Sequence, residues 1–217
     1  MKNKNVIYII TAVLILGLFF VGAKIYQDSR AKEFSFLAKE KSELFVRDHS
    51  PRFGSEKARV YLVEFLDPEC ESCRAFYPEL KNLLEEFGDK VQLIIRYAPF
   101  HGNSKIAIRA IEAARIQGKY WEALEILFYY QPHWGDHHHP RPELIFEYLS
   151  KIGLDMEKLR ADMSLDKITK IIEQDSKDLE ALNVRRTPTF FANGKRLENF
   201  GIQYLRDLLN EQVKLVY

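Results

Sequence analysis

The sequence predicts an α/β fold with a helical insertion, preceded by an N-terminal transmembrane or signal segment. Three observations carry this reading. An apolar run, Val60 to Leu66, leads through Cys70-Glu71-Ser72-Cys73 into an amphipathic stretch and a second apolar run, Val91 to Tyr97, which together outline a strand–helix–strand unit. A block over residues 104–183 then carries helical periodicity. Finally, Thr189-Phe190-Phe191-Ala192 runs into Asn193-Gly194, the strongest short hairpin signal, and on through Lys195-Arg196-Leu197.

Taken in order, Met1-Lys2-Asn3-Lys4-Asn5 precedes an uncharged apolar stretch, Val6 to Ala23. Its length, about 18 residues, is just enough for a helix to span a bilayer. Two lysines before it favour a cytoplasmic N-terminus and an exported remainder. A cleaved signal peptide is the competing reading, since Val21-Gly22-Ala23 offers small or apolar residues at the cleavage positions. Both readings export the rest. Residues 24–49 are charged and lack Gly and Pro, and Phe34, Leu37, Lys41, Leu44 and Phe45 fall at helical spacing, which predicts a helical spacer. Ser50-Pro51-Arg52-Phe53-Gly54 breaks it and opens the domain over 50–217.

Val60 to Leu66 is almost wholly apolar, as a strand covered on both faces should be. From Cys73 to Phe87 the stripe Phe76, Leu80, Leu83, Leu84, Phe87 marks a helix that Gly88 closes. Within the insertion, Ile106/Ala110/Ala113, Trp121/Leu124/Leu127/Phe128 and Leu144/Ile145/Tyr148/Leu149 mark successive helices, and Leu159 to Leu182 extends the series. Ile202 to Val216 is a last amphipathic helix. With net charge +1 and both signs interleaved, the chain shows no nucleic-acid surface. After the N-terminal segment roughly 190 residues remain, enough for one domain with a full core.

The chain has two cysteines, Cys70 and Cys73. A small structural zinc site needs four N/S ligands, usually from two such knuckles, and no second knuckle exists here. A Cys-x-x-Cys pair at a strand-to-helix junction reads first as a redox dithiol. Cys70, at the helix start, faces unpaired backbone N–H groups and the positive end of the dipole, so it is the expected attacking sulfur. Cys73, one turn in, is the expected resolving thiol. Glu64, six positions earlier inside the strand, is a candidate buried carboxyl with a raised pKa, able to act as general base.

Four segments resemble the DsbA-like thiol-disulfide oxidoreductases. They are Val63-Glu64-Phe65 leading to Cys70-Glu71-Ser72-Cys73; Arg96-Tyr97-Ala98-Pro99 with His101 beyond; Gln117-Gly118-Lys119-Tyr120-Trp121; and Arg186-Thr187-Pro188-Thr189-Phe190. The resemblance implies a thioredoxin fold with a helical insertion over most of the exported chain. It implies a cis peptide bond before Pro188, with Thr187 and Pro188 lying against the sulfurs, and a proton-transfer role for Glu64. It also implies bacterial origin, an extracytoplasmic (periplasmic-side) site and no cofactor beyond the Cys70–Cys73 disulfide. The implied partners are exported cysteine-containing proteins and a membrane redox partner, quinone-linked or electron-supplying. Where the strongest oxidants of the family place histidine between the cysteines, Glu71 and Ser72 stand here. With Glu69 adding to the negative field and Arg74 opposing it, a less oxidising potential is expected.

The leading expectation is thus a protein disulfide oxidoreductase, oxidase favoured, with reductase and isomerase open. The alternative is periplasmic copper handling or thiol reduction at a metal site. It rests on the pair together with the segment Pro132-His133-Trp134-Gly135-Asp136-His137-His138-His139-Pro140, which holds four of the six histidines. Consecutive histidines rarely all point at one ion, so a solvated loop is the favoured reading of that segment and no metal site is assigned.

Overall fold

The computed structural model describes residues 10–25, 42–136 and 138–217. Residues 10–25 form helix α1. After a 3-10 turn at Ser42–Leu44 come β1 (Arg52–Phe53), β2 (Val60–Leu66), α2 (Glu71–Phe87) and β3 (Val91–Tyr97). The insertion follows as α3 (Ser104–Ile116), α4 (Tyr120–Tyr129), α5 (Gln131–Trp134), α6 (Leu144–Ser150), α7 (Met156–Asp162) and α8 (Asp166–Ala181). The chain closes with β4 (Thr189–Ala192), β5 (Lys195–Arg196) and α9 (Ile202–Val216).

The five strands form one sheet in the order β1-β3-β2-β4-β5. β2 and β3 run parallel in the register Val60↔Val91 to Leu66↔Tyr97, and β4 lies antiparallel on the other side of β2. Alternation sorts the β2 side chains between two cores. Val60, Leu62 and Leu66 pack with α2, α3, α4 and α9, while Val63 and Phe65 pack with Phe45, Leu179, Leu182 and Phe191. Cover on both faces is why the strand reads as a continuous apolar run. Asn193 and Gly194 take φ of 46° and 83°, as a tight two-residue hairpin requires.

The second core contains a fully buried cation. Arg96 donates from Nε to Asp175 Oδ1 at 2.9 Å and from a terminal nitrogen to the Leu44 carbonyl at 2.7 Å, and it also pairs with Asp178. Arg47 binds both oxygens of Asp178 at 2.8 Å, and His49 Nε2 lies 2.7 Å from Asp175 Oδ1. Strand β3, helix α8 and the segment before Ser50 are thereby fastened together.

Several expectations are corrected here. The spacer helix expected over 24–49 does not continue through its last residues. Only Ser42–Leu44 is helical there, as a single 3-10 turn, because Phe45 turns inward against Phe191 at 5.2 Å between ring centroids. Residues 26–41 of that stretch lie outside the described residues. The span expected from Val6 also begins outside them. Among the described residues no helix is long and apolar enough to cross a membrane. Strand β1 went unread because two residues carry no period. Helix α2 also contains Pro78 on its exposed side, where the Arg74 carbonyl loses its usual intrahelical donor.

Candidate active site

The cysteine pair lies at the carboxyl end of the central strand, where β2 hands over to α2. Cys70 is the N-cap of α2, with extended backbone (φ −76°, ψ 119°), and its carbonyl accepts the first helical hydrogen bond, from the Arg74 amide at 3.1 Å. Seventeen residues of helix stand behind it. Both cysteines are free thiols in this structure. Cys70 is 6% exposed and Cys73 1%. The hydrogen bond from the Cys73 thiol is the main cause that brings Cys70 down to about 6. Burial opposes it, and the Thr187 side chain and the Ser72 and Cys73 amides assist. Cys73 moves the other way, held well above an ordinary thiol by burial first and by that same bond second. The two sulfurs are therefore tuned in opposite directions, Cys70 toward the thiolate and Cys73 toward the thiol.

The peptide bond between Thr187 and Pro188 is cis. The Thr187 carbonyl faces Cys70 Sγ, and the Cys70 thiol donates to it at 3.4 Å. Thr187 is thus brought to Cys70, with Pro188 next to it across the cis bond. Glu64 is brought there too, from below. It lies on the face of β2 that carries Leu62 and Leu66, and is 2% exposed. Its Oε2 has no hydrogen-bond partner among the described residues. Burial, then the charge of Cys70, raises its carboxyl to about 8, and its own charge is felt by Cys73.

The loop before the cysteines differs from its sequence reading. Glu69, expected to add to the negative field, is 2% exposed. Its carboxylate is buried at the start of α3, accepting from the Asn103 amide at 2.6 Å and from Asn103 Nδ2 at 2.8 Å. Arg74 does not face the sulfur alone but donates from Nε to Gln131 Oε1 at 2.9 Å. Glu71 and Ser72 are exposed at the helix start. Gln131, which sequence reasoning missed, donates to the Pro68 and Cys70 carbonyls at 2.8 and 3.1 Å and so ties the insertion to the cysteine turn. No pattern marks a lone glutamine as such a strut; only the fold brings it there. Asp67, also missed, organises the other side. Its buried carboxylate accepts from His101 Nδ1 at 2.7 Å and Ser104 Oγ at 2.8 Å.

The histidine-rich loop borders this site. A groove of about 230 Å³ lies between Glu71 and Arg74 of α2 and Gln131, Asp136 and His138 of the insertion. The Asp136 carboxylate accepts from the His138 and His139 amides at 2.7 and 2.9 Å, which sets the course of the loop. Among the described residues no group of three or more His, Cys, Asp or Glu is arranged to hold a metal ion; His137 lies outside them.

With this geometry in view, comparisons with known proteins agree on the fold. A family model described as Thioredoxin matches residues 47–211. A thioredoxin-like oxidoreductase from Silicibacter pomeroyi DSS-3 superposes with a TM-score of 0.71 at 28% identity, over 81% of this chain and 98% of that one. The thiol-disulfide exchange protein alpha-DsbA2 from Wolbachia pipientis gives 0.74 at 22% identity, over 84% and 97%, a likeness of fold. A relative from Herminiimonas arsenicoxydans named Na(+)/H(+) antiporter NhaA is 35% identical over 144 residues, which is 66% of this chain and 22% of that much longer protein. The chain spans under a quarter of the length of the curated relatives it matches. The family model over residues 47–211, together with the sheet order and the dithiol at the head of α2, places the chain in the thioredoxin family.

Proposed function

We propose that this chain exchanges disulfides with cysteines of exported proteins on the extracytoplasmic side of a bacterial membrane, with Cys70 as attacking sulfur and Cys73 as resolving sulfur. The observation that carries the reading is the dithiol at the head of α2, with Cys70 at the N-cap facing the carbonyl before the cis Pro188 and Cys73 buried one turn in; the opposed tuning of the two thiols supports it. In the oxidising direction a substrate thiolate attacks Cys70 Sγ, the Cys70–Cys73 bond breaks, and Cys73 leaves and takes a proton. A second substrate thiolate then attacks the substrate sulfur of the mixed disulfide and expels Cys70 as thiolate. Two electrons pass from the substrate to the pair, and no other cofactor takes part. A membrane redox partner, quinone-linked or electron-supplying, resets the pair.

The apolar side chains of α1 support a membrane setting: Leu18, Phe19 and Phe20 are 72%, 69% and 67% exposed. In our reading they are covered by lipid, within an anchor over residues 6–23. A relative named as an antiporter is in keeping with a membrane-side location, and ion transport itself is not carried over.

Equilibrating the pair with glutathione tests the reading. Cys70 at about 6 lies between the thiols of thioredoxin, about 7, and DsbA, about 3.5. A potential between about −270 and −120 mV is expected. The upper part of that range means a disulfide donor and the lower part a reductase. Absence of exchange with glutathione sinks the proposal.

Glu64 is proposed to carry the Cys73 proton. Glu64→Gln is expected to slow resolution about tenfold to a hundredfold at pH 7 and to flatten its pH profile. The same change has a definite sign for stability. Folded, Glu64 keeps its proton up to about pH 8, whereas unfolded it loses it near pH 4.3. Its presence therefore lowers stability progressively as pH rises between those values. Glu64→Gln should raise stability at pH 7, by about 2 kcal/mol, with little gain at pH 4. An unchanged rate and pH profile would remove Glu64 from the mechanism.

A further inference from the structure

One buried node beside the cysteine turn has no part in the exchange steps above. Asp67 is fully buried. Its Oδ1 accepts from the Glu69 amide at 2.9 Å. Its Oδ2 accepts from the Phe100 amide at 2.9 Å, the His101 amide at 3.2 Å, Ser104 Oγ at 2.8 Å and His101 Nδ1 at 2.7 Å. Through its main chain the same residue holds the other side, because the Asp67 carbonyl accepts the Cys70 amide at 3.0 Å. Asp67 thus binds the turn of the attacking sulfur with its backbone and the His101 ring with its side chain. A carboxylate facing Nδ1 requires a proton on that nitrogen, so the imidazole can gain or lose its charge only at Nε2. The His101 side chain is 28% exposed.

We propose that the Asp67–His101 pair is a positioning device for the redox centre, presenting a cation to the Cys70 thiolate and gaining proton occupancy when the pair is reduced. The proposal rests on Cys70 being the attacking sulfur. Its balance is simple. Reduction delivers two electrons from a substrate dithiol and leaves Cys70 as thiolate and Cys73 protonated. The new negative charge then draws a fraction of a proton from solvent onto His101. By reciprocity, a protonated His101 favours the reduced form. The surroundings are consistent with this. Burial pulls the His101 ring down, but the hydrogen bond to Asp67 and the charges of Asp67, Cys70 and Glu69 outweigh it and leave its pKa raised. Of the other charged groups near the pair, Glu69 is occupied by Asn103, Arg74 by Gln131, Glu71 is exposed and Glu64 is buried on the β2 face that carries Leu62 and Leu66.

The test is a pair of titrations on the full chain. NMR of the His101 ring in the oxidised and reduced protein should give a protonation constant about threefold higher in the reduced form; equal constants overturn the proposal. In His101→Gln, the thiolate absorbance of Cys70 should titrate at higher pH, with its ionisation constant lowered about threefold. An unmoved midpoint in a folded variant overturns it equally. The two readings separate cleanly. If Cys70→Ser exchanges disulfides as fast as the parent, the exchange reading itself fails. If the parent exchanges normally while His101 titrates alike in both redox forms, only the inference fails.

Discussion

Cys73→Ala is expected to accumulate as a stable mixed disulfide between Cys70 and a cysteine-containing peptide, with turnover reduced by at least about 10³-fold. The reason lies in the order of the two sulfurs. At pH 7 a thiol at about 6 is roughly nine-tenths thiolate, and it faces the Thr187 carbonyl at the site's mouth. Cys73 is deeper and keeps its proton. Without it, attack still takes place and resolution does not. Cys70→Ser should abolish both steps and trap nothing. Mass spectrometry of the protein after incubation with an oxidised peptide reads the two variants directly. An adduct on Cys73 in the Cys70→Ser variant, formed at the parental rate, would reverse the assignment.

Removing Arg96 should cost more stability than any other single change proposed for this chain. Arg96→Ala leaves Asp175 and Asp178, both almost fully buried, without their shared cation. Breaking a buried pair by removing one partner typically costs about 3 to 5 kcal/mol. Urea unfolding should show a lower midpoint with an unchanged slope. Arg47→Ala, at the more exposed end of the same network, should cost less. The pH dependence has a worked sign. Burial tends to raise Asp178, but Arg47 and Arg96 overcome it and hold its carboxyl below the ordinary value. A depressed carboxyl contributes stability above its unfolded pKa of about 3.9 and loses that contribution as pH falls through its folded one. The deficit of Arg96→Ala should therefore narrow in acid. A loss under about 1 kcal/mol at pH 7 would mean that the network is solvated rather than buried.

How much of this was legible beforehand depended on the range of the interaction. β2, β3, the hairpin and α9 follow from period and turn chemistry, which are local; the bounds of β2, β3 and α9 match the reading, and the hairpin's second strand stops one residue short, at Arg196. The cysteine pair declares itself by spacing alone. Glu64 was visible because a charge inside an apolar strand is anomalous. Gln131 and Asp67 were not, since each acts through partners about 30 to 60 positions away, such as His101 and Pro68, and nothing local distinguishes them. The partners of Glu69 were hidden for the same reason. As a residue beside Cys70 it suggests a negative field at the sulfur; the fold adds that its carboxylate also closes the start of α3. Arg96 looked like part of a strand-end motif. Its real office, joining β3 to α8 and to residues before the first strand, needs the tertiary structure to be seen.

That last junction bears on where the molecule can be cut. A fragment beginning at Ser50, where the helical spacer was expected to stop, would omit Phe45 from the second core, the Leu44 carbonyl from Arg96, and Arg47 and His49 from the two aspartates. What looks like the end of a leash is a plug. A truncated version made for assay or crystallisation keeps its rear face sealed only if it begins upstream of Leu44.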